Sequence, residues 1–306
     1  SALGAFLPFW PLYLNYKSFT PYEIGVITGT MIGTKIIAPN VWGWIADKTG
    51  LRHRVIQLGA LSCFIIFTFA SSMESFSGMV ALIFLFSFFW NASLPQFEAV
   101  SMTSLGSSYN NYSQIRLWGS LGFILSVFSL SFLTQNYGIE VVPTCILSFL
   151  FLTFITTLFV KNTNANQKKH NNSLLSIALK PAVIGILLSC FLMQVSHGPF
   201  YAFFAIYLTE NSYSTNSIGF IWSLGVIAEI LIFIKISSWI PKYGLQNLFI
   251  VSFLFASSRW LLISFFPESV IIVTLATLFH AITYGMYHAV SISLIHEYFT
   301  EELQGR

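Results

Sequence analysis

Long apolar runs, broken by short polar segments, fill this chain from one end to the other. A helix needs about 20 apolar residues to cross about 30 Å of hydrocarbon. Runs of that length lie at 22–46, 55–73, 77–104, 113–135, 140–161, 181–209, 216–240, 246–267 and 270–298, so the pattern predicts nine transmembrane helices. Leu3 to Leu14 is a tenth apolar stretch. It is too short to span and has no basic segment before it, so it reads as the outer part of a first helix, not a signal peptide. The polar end from Glu301 to Arg306 stops without a closing element. Both ends lead us to expect a piece of a longer protein. Pro95 and Pro199 fall inside two spans, where the loss of a backbone hydrogen bond favours a bend.

Composition agrees with the pattern. Of 306 residues, 55% are hydrophobic and only 8% are charged, against about 25% charged in a soluble domain. A soluble globule could not cover its surface with so little charge, which excludes a cytosolic enzyme, a nucleic-acid-binding protein and a disordered chain. Cys63, Cys145 and Cys190 lie in separate apolar runs and read as small fillers, not as a disulfide or metal set. No CxxC, HExxH, GxxxxGK[ST] or GxGxxG pattern occurs, so neither a metal nor a cofactor is expected, nor an enzyme.

The loops alternate in sign. One side carries Lys48, Arg52, Arg54, Lys161, Lys168, Lys169, Lys180, Lys242 and Arg306; the other carries Lys17 with Glu23, Glu74, Glu140, Glu210 and Glu268. The positive-inside rule puts the first set in the cytoplasm. The longest loop, 162–180, is Asn- and Lys-rich and reads as a cytoplasmic linker between an N-terminal bundle, 1–161, and a C-terminal bundle, 181–306.

The two bundles resemble each other. Ile24-Gly25-Val26-Ile27 recurs as Ile218-Gly219-Phe220-Ile221, an offset of 194 residues. The segment from Gly43 to Arg52 recurs in a shorter form, Trp239 to Leu245, one residue shorter where Trp44–Leu51 aligns with it. Parallel repeats of this kind build two-bundle transporters. Within the loop, Gly43 and Gly50 allow close packing and a tight turn, Asp47 suits a helix end or a cation, and Arg52 holds the cytoplasmic side; the basic residues also serve as topology anchors.

Ionisable residues at membrane depth cost at least about 2.5–3.5 kcal/mol each, so they need partners or water. Lys35 and Glu229 are central in the second and eighth spans and are related by the same offset. Lys35 suits a substrate carboxylate and Glu229 a proton or charge balance; a structural ion pair is the other reading. Arg259 in the ninth span suits an anion or a pairing with Glu229. Glu98 and Arg116 lie at the inner parts of the fourth and fifth spans, as a substrate fork or a helix clamp. His280 and His288, eight apart on one span, suit proton coupling or hydrogen-bonded burial. His197, beside Pro199, reads as polar glue at a bend. Trp10, Tyr201, Phe203, Phe204, Trp222 and Tyr284 are the aromatics placed to line a site, though in a chain with 17% aromatics most serve packing or lipid contact.

Phe6-Leu7-Pro8-Phe9-Trp10, Arg116-Leu117-Trp118-Gly119-Ser120, Trp222 to Glu229 and Ser258-Arg259-Trp260 together resemble the major facilitator superfamily, in its oligosaccharide/proton symporter-like branch. The resemblance runs the length of the chain. It implies an all-α membrane protein of two six-helix bundles, four helices of the second being present here. It implies a bacterial inner-membrane symporter acting as a monomer, whose partners are a small-molecule substrate, protons and the bilayer. The branch's aromatic-acid carriers imply a phenylpropionate-like acid; its sugar and nucleoside carriers are the alternative. Lys35, Arg116, Arg259, Glu98 and Trp222 fall to substrate binding, Glu229, His280 and His288 to proton coupling, and Gly43, Asp47, Gly50 and Arg52 to the conformational loop. Sugar carriers of this branch hold a coupling Glu three residues after the equivalent of His280; Thr283 stands there instead.

Overall fold

A computed structural model describes residues 2–105, 112–160 and 179–298, with backbone alone at 99, 102–105, 112–117, 296 and 298. The described residues are helical throughout. Hydrocarbon offers no partner to a backbone N–H or C=O, so a span must satisfy its own backbone. The helices are α1 (Ala2–Tyr16), α2 (Pro21–Thr49), α3 (Arg52–Phe67), α4 (Phe76–Leu105), α5 (Tyr112–Tyr137), α6 (Val141–Thr157), α7 (Pro181–Glu210), α8 (Thr215–Tyr243), α9 (Leu245–Phe265), α10 (Val270–Leu278) and α11 (Tyr287–Tyr298). Eight stretches among the described residues are long and apolar enough to cross a membrane, and α6 is a shorter apolar helix. The nine expected spans coincide with these helices, with one difference. The stretch expected as a single helix at 270–298 contains a turn of π-helix, Ala281–Met286, between α10 and α11.

The chain divides into two compact units, residues 1–167 with 201–206 and residues 168–200 with 207–306. The expected linker lies almost wholly outside the described residues. In the first unit α4 lies along both α2 and α3, α3 along α6, and α1 against α5 and α6. Gly59 sets the approach of α3 to α4: a Cβ there would stand 3.0 Å from the Phe89 carbonyl oxygen and 3.1 Å from the Ala92 Cβ. In the second unit α8 packs on the π turn, and α9 packs on α10 and α11. Glycines open that contact from both sides, since a Cβ at Gly225 would meet Thr277 at 3.3 Å and one at Gly285 would meet Glu229 at 3.0 Å.

The offset of 194 governs local structure as well as sequence. Ser18 and Ser212 both take a left-handed conformation, with φ of 63° and 66°. Each closes a Schellman turn: Phe19 N donates to Leu14 O at 3.1 Å, and Tyr213 N donates to Leu208 O at 3.0 Å. The hydroxyls of Thr20 and Ser214 then cap α2 and α8 by accepting from the N–H of Glu23 and Ser217. Gly50 and Gly244 end those helices with positive φ and donate to Ala46 O and Ile240 O, each at 2.9 Å. Ser75 and Ser269 cap α4 and α10 in the same way.

Gly59→Leu drives a side chain into the α4 backbone. We expect it to cost about 1–3 kcal/mol by overpacking, read as a fall of several degrees in melting temperature. Gly185→Ala is the control, because a Cβ at 185 meets nothing within 4 Å.

Candidate functional site

Arg259, on α9, is the largest fully buried side chain of the molecule among the described residues, at 1% exposed. Its Nη1 lies 3.2 Å from His280 Nδ1. A guanidinium only donates, so Nδ1 accepts and the His280 proton is assigned to Nε2. The guanidinium carbon stands 4.1 Å from the Phe200 ring centroid, a cation–π contact in a desolvated setting. His197 Nδ1 lies 2.9 Å from the Met193 carbonyl oxygen. That oxygen accepts, so Nδ1 carries the proton, and Nε2 faces the Thr283 hydroxyl at 3.5 Å.

Flat rings continue the cluster as a column. Trp222 stacks on Phe200 at 4.5 Å, Phe200 on His280 at 5.1 Å, His280 on Tyr284 at 5.3 Å and Tyr284 on His288 at 6.0 Å between centroids. The π turn follows His280 and carries Thr283 and Tyr284 within this cluster.

The first unit builds the same arrangement without ionisable groups. Phe6 and Phe86, the counterparts of Phe200 and His280 at the offset of 194, stack at 5.3 Å. Trp90, the counterpart of Tyr284, follows Phe86 at 5.6 Å. Where Arg259 meets its pair, Phe67 of α3 meets Phe6 at 5.6 Å and Phe86 at 5.2 Å. The architecture therefore asks only for apolar rings at this place. Arg259 and His280 are departures from the repeat, and a departure that buries a guanidinium calls for a role beyond packing.

Of the expected site residues, the structure brings together Arg259, His280, Trp222 and, through Tyr284, His288. Glu229 lies on α8 at the π turn, its stem against Gly285. Lys35 on α2 and Glu98 on α4 are exposed. The side chain of Arg116 lies outside the described residues. His197, read from sequence as glue at a bend, is 2% exposed and belongs to the cluster, as do Tyr284, read as one of the aromatics lining a site, Thr283, noted only as a departure, and Phe200, which the sequence reading assigned no role. The offset of 194, applied to the Phe6–Phe86 pair, is the signal that would have found Phe200.

The loop residues form a second centre. Arg52 Nη2 is 2.6 Å from Asp47 Oδ1, and its Nη1 donates to Gln96 Oε1 at 3.4 Å. Arg52 is 6% exposed and Gln96 is 4% exposed, so the turn made possible by Gly50 is pinned to α4. Gly43 faces Gln96, its missing Cβ 3.9 Å from Nε2. Gln96 gave no sign in the sequence, since its role depends on how α4 is rotated.

A model of the MFS_1 like family matches residues 1–306. The chain belongs to this family of major facilitator transporters. It is 25% identical over 266 residues to a probable 3-phenylpropionic acid transporter of Escherichia coli (strain K12), covering 84% of this chain and 69% of that one. It is 25% identical over 273 residues to the maltose permease of Geobacillus stearothermophilus, covering 85% and 67%. The nucleoside transporter NupG superposes with a TM-score of 0.84 at 16% identity, covering 99% of this chain and 80% of that one, a likeness of fold.

Asp47→Asn removes the counter-charge of a buried guanidinium. Asp47 is itself 39% exposed, so we expect a loss of about 1–3 kcal/mol, below that of a fully buried pair, measurable by thermal unfolding in detergent. His280→Phe restores the ring that the first unit uses. It also removes the acceptor of the buried Arg259, so we expect a loss of about 1–3 kcal/mol, read as a fall of several degrees in melting temperature, with transport reduced at least tenfold.

Proposed function

We propose that the protein takes up a small aromatic carboxylate together with protons across the bacterial inner membrane, working as a monomer with its central loop in the cytoplasm. One observation carries this reading: a buried guanidinium, Arg259, set among stacked rings where the repeat requires only apolar packing. An Arg fork suits a carboxylate, and ring faces suit an aryl group. Arg259, Lys35 and Arg116 contact the anion, and Trp222 and Glu98 line its site. Glu229, His280 and His288 carry or balance the proton. Alternating access comes from movement of the two bundles, with Gly43, Asp47, Gly50 and Arg52 holding one loop. The name of the 3-phenylpropionic acid transporter supports the substrate class. The named cargoes of the maltose permease and of NupG favour a second reading, a neutral sugar or nucleoside.

Uptake of radiolabelled 3-phenylpropionate into proteoliposomes tests the proposal. We expect accumulation under an inward proton gradient, its disappearance when the gradient is collapsed, and at least a tenfold loss in Arg259→Gln, Lys35→Ala and Glu229→Gln. Accumulation of maltose or uridine, with none of the acid, rejects the aromatic-acid assignment.

A further inference from the structure

The repeat departs from itself in the first unit too. Position 222 holds a Trp whose indole lies on Phe200 at 4.5 Å. Its counterpart in the first unit is Thr28, a far smaller residue, and the counterpart of Phe200 is Phe6. A recess of about 10 Å³ opens there, lined by Phe6, Trp10, Ile27, Thr28, Met31 and Ile83 among others. Its empty space is the size of about one water. Two polar groups in its lining, Trp10 Nε1 and Thr28 Oγ1, are buried and have no hydrogen-bond partner among the described residues. Trp10 itself is 2% exposed. A buried donor without an acceptor costs about 1–3 kcal/mol and asks for an explanation.

The other unit supplies one. There an indole fills the place, and Gly225 stands where the first unit has Met31. Met31 lines the recess, and Met is unbranched and readily repacked, so it can swing clear of a ring. The geometry points to an aryl subsite of the first unit. A planar ring of the carried molecule lies on Phe6 as the Trp222 indole lies on Phe200, displacing Met31, and an oxygen of the ligand accepts from the Trp10 N–H and the Thr28 hydroxyl. The ligand class is an aryl compound bearing a carbonyl or carboxylate oxygen close to the ring. This inference rests on the aromatic-acid reading above and adds a place for the ring in the first unit, whereas the stacked rings invoked there belong to the second.

The test is calorimetric binding of 3-phenylpropionate and of 3-cyclohexylpropionate to the full-length protein. The second acid keeps the carboxylate and loses the flat ring. Wild type should prefer the phenyl acid. Thr28→Trp places in the recess the residue that the other unit already accommodates. It should weaken 3-phenylpropionate binding at least tenfold and abolish the preference. Thr28→Val, which is nearly isosteric, and Trp10→Phe, which removes the N–H together with part of the ring, should each weaken binding by at least about 3-fold, the low end for one lost hydrogen bond; they decide the matter should Thr28→Trp fail to fold. Binding of the phenyl acid within twofold of wild type in these variants overturns the subsite alone, and is what a water filling the recess predicts. Wild type that binds neither acid overturns the aromatic-acid reading and the subsite with it.

Discussion

Hydrocarbon satisfies no hydrogen bond, and the rest of this structure follows from that constraint. Each span must close its own backbone bonds, so among the described residues only helices and tight turns occur. Helix ends are where the constraint bites, because the first N–H groups and last C=O groups have no partner within the helix. The chain meets this with the same devices in each half: a left-handed Ser in a Schellman turn, a hydroxyl at the next N-cap, a glycine with positive φ at the far end. These repeat at an interval of 194 residues because they solve the same problem in two copies of one design.

A repeated design separates what the fold needs from what it carries besides. In the first unit the rings of Phe6, Phe67, Phe86 and Trp90 fill the space between α1, α3 and α4. The second unit keeps Phe200 at the centre and surrounds it with Arg259, His280 and Tyr284. Both arrangements pack, so packing does not explain the polar one. The comparison works in the other direction at Thr28, where the smaller residue belongs to the first unit and the filled site to the second. Each half thus serves as the other's control.

The spans, their limits and the repeat were legible in the sequence because length and polarity encode them directly. The loop centre was legible in part: Asp47 and Arg52 announce themselves by charge next to two glycines, whereas Gln96 does not. Its partnership with Arg52 depends on which side of α4 faces the loop, and a helix that is apolar on all sides does not reveal its rotation. The same reason hid Phe200. The π turn was hidden for another. Its one sequence sign is Gly285, absent from the helices on either side, and a single glycine in an apolar run does not specify a π turn.

The buried Arg259 illustrates how strongly position can weigh against intrinsic preference. An arginine at membrane depth costs about 2.5–3.5 kcal/mol on insertion scales, and this one is tolerated because a His nitrogen accepts from it and a phenyl face lies over it. Those same contacts constrain the histidine. With Nδ1 committed to the guanidinium, His280 turns only its Nε2–H to other groups, and a second proton on the ring would displace the bond that holds Arg259. The tautomer of one imidazole and the placement of the cation are therefore set together, each by the hydrogen bond that joins them.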